Sequence, residues 1–354
     1  MRVLITGGAG FVGSALGIGL AGRYPDWQIT ALDNLKRYGS ELNLSRLQQA
    51  GIAFVHGDVR NPEDLEPGAL QPELILECSA EPSVLAGYAS PGYMLQTNLV
   101  GTINCLELAR KTGASFIFLS TSRVYPIARL SALAYEEGTT RLRLQEEQHV
   151  PGASGHGIAE DFPLEGVRSL YGATKLASEL LIAEYAEAYG LRTLIDRCGV
   201  LTGPWQMGKV DQGVFALWMA AHCFERPLKY IGFGGTGKQV RDFLHVADLL
   251  ELIDLQIAAL DQLQGRVFNV GGGRENTLSL LETTRLCEEI SGQKIPIAAE
   301  PQGRPGDIPI FITDSRKVRE ATGWVPTHDA RSTLLEIYAW MQEYRPLLKN
   351  IFAG

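Results

Sequence analysis

Arg2-Val3-Leu4-Ile5-Thr6-Gly7-Gly8-Ala9-Gly10-Phe11-Val12-Gly13 is the stretch on which the reading of this chain turns. A β-prone run enters a glycine loop, and the loop opens directly onto a helical pattern. The spacing satisfies GxGxxG from Gly8 and GxxGxxG from Gly7. Glycines here permit a tight turn, let backbone approach a pyrophosphate and bring helix against strand. The start of the helix then presents free N–H groups and partial positive charge to phosphate. Twenty residues after Gly13, Asp33 closes the second β-prone run. A carboxylate there accepts from a ribose 2′-hydroxyl and repels a 2′-phosphate, which favours NAD over NADP. Lys36 and Arg37, just beyond, keep a cation within reach of a 2′-phosphate.

Outward from the loop, β-prone runs alternate with helical spacing. Strands are expected at 2–6, 28–33, 53–55, 74–78, 115–120 and 192–197, and helices over 94–111 and 171–189. Such alternation means parallel pairing, because each right-handed crossover needs a helix to return the chain. The expected fold is α/β, a Rossmann-type doubly wound parallel sheet with a smaller mixed α/β substrate lobe. Residues 1–202 would form the NAD-binding domain. Inside it, 126–168 carries Pro151-Gly152, Gly155 and Gly157 with little periodicity, and reads as a functional loop or an inserted subdomain. Residues 203–354 would be mainly the substrate lobe, with a helix near 212–223, a strand at 228–231 and segments returning to the first domain.

Composition narrows the function classes. The 354 residues are 45% hydrophobic and 20% charged, which suffices for a large core. A net charge of −8 argues against a nucleic-acid partner, since phosphate neutralisation needs clustered Lys and Arg. The five cysteines are widely spaced with no CxxC, as in reduced, cytoplasmic proteins. The six histidines form no HxxxH or His/Cys cluster, so no metal is expected, and His245 reads as structural. No signal peptide precedes the first strand and no apolar run reaches transmembrane length, so no membrane partner is expected.

Tyr171-Gly172-Ala173-Thr174-Lys175 puts a phenol and an ammonium on one side of a helix start. A phenol near its reference pKa of about 10 is a poor base at neutral pH, and a neighbouring cation favours its phenolate. Ser120-Thr121-Ser122-Arg123-Val124-Tyr125 ends the fifth strand, at the edge where an open α/β sheet has its ligand crevice. A hydroxyl there can hydrogen-bond a reacting oxygen.

With Asp58-Val59, Asn98 in Thr97-Asn98-Leu99-Val100-Gly101-Thr102, and Arg241-Asp242-Phe243-Leu244-His245-Val246-Ala247-Asp248, these motifs resemble the extended short-chain dehydrogenases/reductases over nearly the whole chain. The resemblance implies that Thr121, Tyr171 and Lys175 are the catalytic hydroxyl, the acid/base and its partner. It implies NAD contacts at Gly7, Gly10, Phe11, Val12, Gly13, Asp33, Asn34, Asp58, Val59, Ser79, Ala80, Asn98, Tyr171, Lys175 and Cys198. Asp211-Gln212-Gly213 and Gly237-Lys238-Gln239-Val240-Arg241 are similar to the CDP-sugar 2-epimerase branch. The alternatives are a UDP-sugar 4-epimerase, a nucleotide-sugar reductase or dehydratase, and an NAD-sensing scaffold. The chain departs from its relatives at Glu77-Cys78-Ser79-Ala80-Glu81, where an alanine- and glutamine-rich turn is usual, and at Pro126.

Family dehydratases carry an Asp-Glu pair after the catalytic Thr, where this chain has Ser122 and Arg123. For substrate, the resemblance implies Thr121, Gln212, Lys238, Arg241 and Arg304, the arginines being suited to bidentate contact with a nucleotide diphosphate. Apolar residues of 171–189, such as Leu176, Leu180, Leu181 and Ile182, together with the family habit of pairing these helices, imply a homodimer or higher homo-oligomer.

Overall fold

In the first strand Val3 and Ile5 face one side and Leu4 the other, and all three are buried. A strand apolar on both faces belongs inside a sheet covered by helices on both sides. The computed structural model, which describes residues 1–209 and 212–352, shows that sheet. Its strands are β1 (Arg2–Thr6), β2 (Gln28–Asp33), β3 (Ala53–His56), β4 (Leu74–Glu77), β5 (Ser115–Thr121), β6 (Thr193–Cys198) and β7 (Arg266–Val270). They pair in the order β7-β6-β5-β4-β1-β2-β3, every pair parallel.

Strand order reverses between β1 and β4, and the loops leaving their carboxyl ends part to form a crevice. On one face α1 (Phe11–Arg23) buries Leu16 and Leu20 against Ile5, Leu249 and Leu252. On the other, α2 (Gly101–Thr112) and α3 (Leu170–Tyr189) bury Leu106 and Ile182 against Ile75, Phe116 and Phe118. Each fully buried aliphatic or Phe side chain contributes about 1.5–3 kcal/mol.

The helical pattern expected over 94–111 is realised as two α-helical stretches, Pro91–Leu95 and α2, joined by a π-turn at Gln96–Val100. Asn98 sits in that turn and hydrogen-bonds the backbone of Glu81 through both ends of its amide, at 2.8 and 3.1 Å. The π-turn thereby clamps the turn that follows β4.

Residues 126–168 fold as a helix (Ile127–Ser131) and two short antiparallel pairs, 135–137 with 142–144 and 153–154 with 157–158. Tyr125, Leu130, Ile158 and Phe162 make a small core with Ile308 and Phe311. The later part of the chain packs helices Val214–Cys223, Leu280–Ser291 and Ala330–Glu343 around Trp218, Met219, Ile337 and Trp340. A mixed sheet of Val200–Thr202, Val240–His245, Thr277–Ser279 and Ile310–Phe311 joins it to the crevice. No helix among the described residues is long and apolar enough to cross a membrane.

Candidate active site

The glycines after β1 are fixed by contact. Gly7 has φ +64°, and a Cβ on it would lie 2.9 Å from the Ser79 backbone. A Cβ on Gly13 would lie 2.3 Å from the Gly7 carbonyl oxygen. The loop after β1 and the loop after β4 therefore meet as bare backbone. Gly10 caps α1 without a side-chain hydrogen bond. The amides of Phe11, Val12 and Gly13 have no carbonyl inside the helix to donate to. Asp33 ends β2 and accepts from the amides of Ala9 at 3.1 Å and Leu35 at 2.8 Å. Burial pushes its carboxyl up and those amides pull it down.

These features line one end of a cleft of about 830 Å³. It brings together Gly7, Gly10, Phe11, Val12, Gly13, Asp33, Asn34, Val59, Ser79, Ala80, Thr121, Tyr171, Lys175, Cys198 and Gln212. A dinucleotide fits what is present. Phosphates meet open helix amides with no Cβ in the way, and a ribose meets a carboxylate with lone pairs to spare. Of the two nearby cations, Arg37 donates to the Met207 carbonyl and Lys36 lies 5.8 Å from the centre of the Tyr93 ring.

At the other end stand β5 and α3. Ser169 caps α3, accepting from the Gly172 amide at 3.2 Å, and so fixes where the first turn faces. Tyr171 is buried, and both its phenol and the Thr121 hydroxyl line the cleft. Burial pushes its phenol up to about 12, while the Thr121 hydroxyl and Arg123 pull it down. Thr121 also accepts from the Arg123 amide at 3.2 Å.

Lys175 is buried, with Nζ 3.9 Å from Glu77 Oε2 and 4.1 Å from the centre of the Phe118 ring. Burial lowers its pKa and Glu77 opposes that. Behind them Arg197 on β6 grips Glu179 on α3 at 2.7 Å, and Ser120 donates to Glu179 at 2.5 Å. This buried network pins the helix of Tyr171 to the strand of Thr121. Cys198 lines the cleft with its thiol pushed well above its ordinary range by burial, so it serves as a small neutral side chain.

Other residues implied for the site lie beyond the cleft lining. Asp58 accepts from Asn34 at 2.9 Å and pairs with Arg60, which holds its carboxyl down at about 2. Asn98 is wholly buried and braces the turn of Ser79 and Ala80 from below. Lys238 pairs with Glu137 at 2.7 Å, and Arg241 with Asp307 at 2.9 Å, in the loop that also carries Arg304. Asp211 lies outside the described residues.

The sequence reading missed Arg123 and Glu81 as lining residues. Arg123 is half-buried and donates to the Gly306 carbonyl at 3.0 Å. Its position directly past the strand-end hydroxyls was the available signal. His245, His328 and Glu336 bring ligand-type atoms within 4.8 Å of one another, away from the cleft. His245 Nδ1 accepts the Ala247 amide, so the neutral ring, its pKa held down at about 4, carries its hydrogen on Nε2. It turns an N–H toward Glu336, not a lone pair toward a metal.

A backbone-lined dinucleotide loop sharing one cleft with a buried Tyr–Lys pair is the equipment of the NAD-dependent extended short-chain dehydrogenases/reductases. Comparison with known proteins narrows the class. The profile of the NAD dependent epimerase/dehydratase family matches residues 3–271, and the chain belongs to that family. CDP-paratose 2-epimerase of Salmonella typhi is 31% identical over 96% of this chain and 99% of its own length. A dTDP-glucose 4,6-dehydratase of Streptomyces griseus is 28% identical over 97% of this chain and 95% of its own. The Thermus thermophilus UDP-glucose 4-epimerase, solved in complex with NAD, aligns with a TM-score of 0.77 at 27% identity, over 97% of this chain and 99% of that one. The chain is an enzyme of the nucleotide-sugar epimerase and dehydratase kind, and its cofactor is NAD.

Proposed function

We propose that the chain epimerises C2 of a CDP-linked sugar by transient oxidation and re-reduction at one carbon. The observation that carries the reaction type is the end of β5, where Thr121, Tyr171, Ser122 and Arg123 line one cleft; C2 and the CDP carrier follow the likeness to CDP-paratose 2-epimerase. Oxidation at carbon needs a group that takes a hydroxyl proton, and the phenol is placed for it. Elimination of water needs a carboxyl acid/base as well, and this strand end supplies none.

When bound, NAD accepts a hydride from the sugar carbon and gives it back. Tyr171 takes the hydroxyl proton and later returns it, with Thr121 holding the same oxygen and Lys175 favouring the phenolate. The buried Glu179–Arg197 pair keeps α3 and β5 in register while this happens. Release from the first hydrogen-bonded pose lets the keto-sugar present its opposite face to the returning hydride. Arg241 and Arg304 are read as the diphosphate cations, and Gln212 and Lys238 as further substrate contacts.

A second reading rests on Glu81, a carboxylate in the cleft lining that accepts from the Ser83 amide at 3.1 Å. In a 4,6-dehydratase that group would abstract a C5 proton. Incubating purified protein with CDP-, UDP- and GDP-sugars and following the sugar ring couplings by NMR separates the readings. Inversion at C2 of a CDP-sugar supports the first, inversion at C4 of a UDP-sugar moves the centre, and a 4-keto-6-deoxy product supports the second.

Leu180 on α3 is 64% exposed, an apolar side chain available for contact with a two-fold copy of the helix. We therefore read the protein as a homodimer. Light scattering that gives a monomer at micromolar concentration contradicts that assembly. The five free thiols fit a cytoplasmic setting.

A further inference from the structure

The helix-facing side of the sheet beneath α2 and α3 is built from Leu4, Ile75, Phe116 and Phe118, and Glu77 stands among them with none of its surface exposed. A lone carboxylate in such a layer is costly unless it is hydrogen-bonded and faced by a cation. Glu77 has both. Its Oε1 accepts from the Ser79 hydroxyl and, at 3.4 Å, from Thr6 on the neighbouring strand. Its Oε2 has no hydrogen-bond donor and faces the Lys175 ammonium at 3.9 Å. That distance is an ion pair without a hydrogen bond, so the ammonium keeps its hydrogens for the cleft above.

We propose that Glu77 is a positioning residue for the reaction: its buried carboxylate draws the Lys175 ammonium toward Phe118, limits how strongly that cation stabilises the Tyr171 phenolate, and so sets the pH at which Tyr171 gives up its proton. The charges around it are few. Tyr171 and Lys175 face it from α3, Cys78 from the end of β4 and Cys105 from α2, while Glu179 and Cys198 act on Lys175 and Arg123 acts on Tyr171. Burial raises all three thiols, which stay neutral, and Glu179 is committed to Arg197. Arg123 remains a fixed cation donating to Gly306. Burial pushes the Glu77 carboxyl up while the Lys175 ammonium and the two hydroxyls hold it down, so Glu77 is the anion that counters Lys175 within their buried pair. Removing it leaves the cation unopposed, and the phenolate becomes easier to form.

The inference rests on Tyr171 being the proton-transfer group, and its test reads the phenol directly. NAD-loaded protein labelled with 13Cζ-tyrosine is titrated by NMR, the Tyr171 signal being the one lost in Tyr171→Phe. Glu77→Gln keeps the shape and the hydroxyl contacts while removing the charge. It should shift the Tyr171 titration down by about one pH unit, roughly tenfold more tyrosinate at a fixed alkaline pH. The acidic limb of kcat should move the same way, and Glu77→Asp should restore both. An unmoved Tyr171 titration in Glu77→Gln, with only the thermal midpoint changed, would make Glu77 structural and overturn the proposal.

Should Glu77→Gln not fold, Thr6→Val removes a donor from Oε1 and makes the carboxylate easier to neutralise. A smaller downward shift supports the proposal and no shift overturns it. A shifted Tyr171 signal in a protein inactive on every nucleotide sugar would sink the proposed reaction and leave this inference standing.

Discussion

The two ends of the cleft are made of different material. At the β1–α1 end the surface is backbone: Gly7, Gly13 and the Ser79 main chain touch, and the open amides of α1 face the space they leave. At the β5–α3 end it is side chain, with Thr121, Tyr171 and Lys175 buried and each braced by another side chain or amide. Backbone recognition fails when an atom is added. Side-chain chemistry fails when an atom is removed. One enzyme therefore has two distinct kinds of weakness, and substitutions can separate them.

The largest effect is expected at the side-chain end. Tyr171→Phe deletes one oxygen and should lower turnover by about 10²–10⁴-fold. NAD affinity, followed by calorimetry, should stay within about twofold, because the other end of the cleft is untouched. Near-normal turnover would break the division between the two ends. Next comes Gly13→Ala, whose added Cβ would lie 2.3 Å from the Gly7 carbonyl. Overpacking of this kind costs about 1–3 kcal/mol, and it should appear as a lower thermal midpoint and weakened NAD binding. Unchanged NAD affinity would show that the loop yields freely.

Thr121→Val removes a single hydrogen bond to the reacting oxygen and should lower kcat by roughly tenfold, with KM little changed. A loss as large as that of Tyr171→Phe would make the threonine the proton carrier. The smallest effect separates two cations outside the lining. Lys238→Ala breaks an exposed pair with Glu137 and should alter KM by no more than about threefold. Arg241→Ala opens a half-buried pair with Asp307 and should raise KM more than that. Equal changes would remove the distinction between the two positions.

The same contrast explains what could be read from the sequence. Strands β1 to β6 and the short strand Leu228–Ile231 were legible because local pattern dictates them, as were Asp33 and the Tyr171–Lys175 pair from their spacing. Strand β7 was not, since Arg266–Val270 takes its place only by pairing with β6 from far along the chain. The π-turn at Asn98 was hidden inside a continuous helical pattern, because its cause is a partner in another loop. Residues 126–168 lack periodicity, and their order depends on remote contacts such as Leu142 N–H to the Lys238 carbonyl at 2.9 Å. The resemblance implies Arg241 as a substrate cation, and its pairing with Asp307 was not legible because it depends on a loop sixty-six residues away.

In the proposed reaction the carbon-bound hydrogen leaves and returns as hydride, with only Tyr171 exchanging protons. The direct measurement is the reaction in deuterium oxide, alongside a substrate deuterated at the inverted carbon, with both products read by NMR and mass spectrometry. Hydride return to the same carbon gives a product without solvent deuterium on carbon in the first case and full retention of label in the second. Solvent deuterium on a ring carbon, or loss of the label, would contradict it and turn attention to the Glu81 carboxylate.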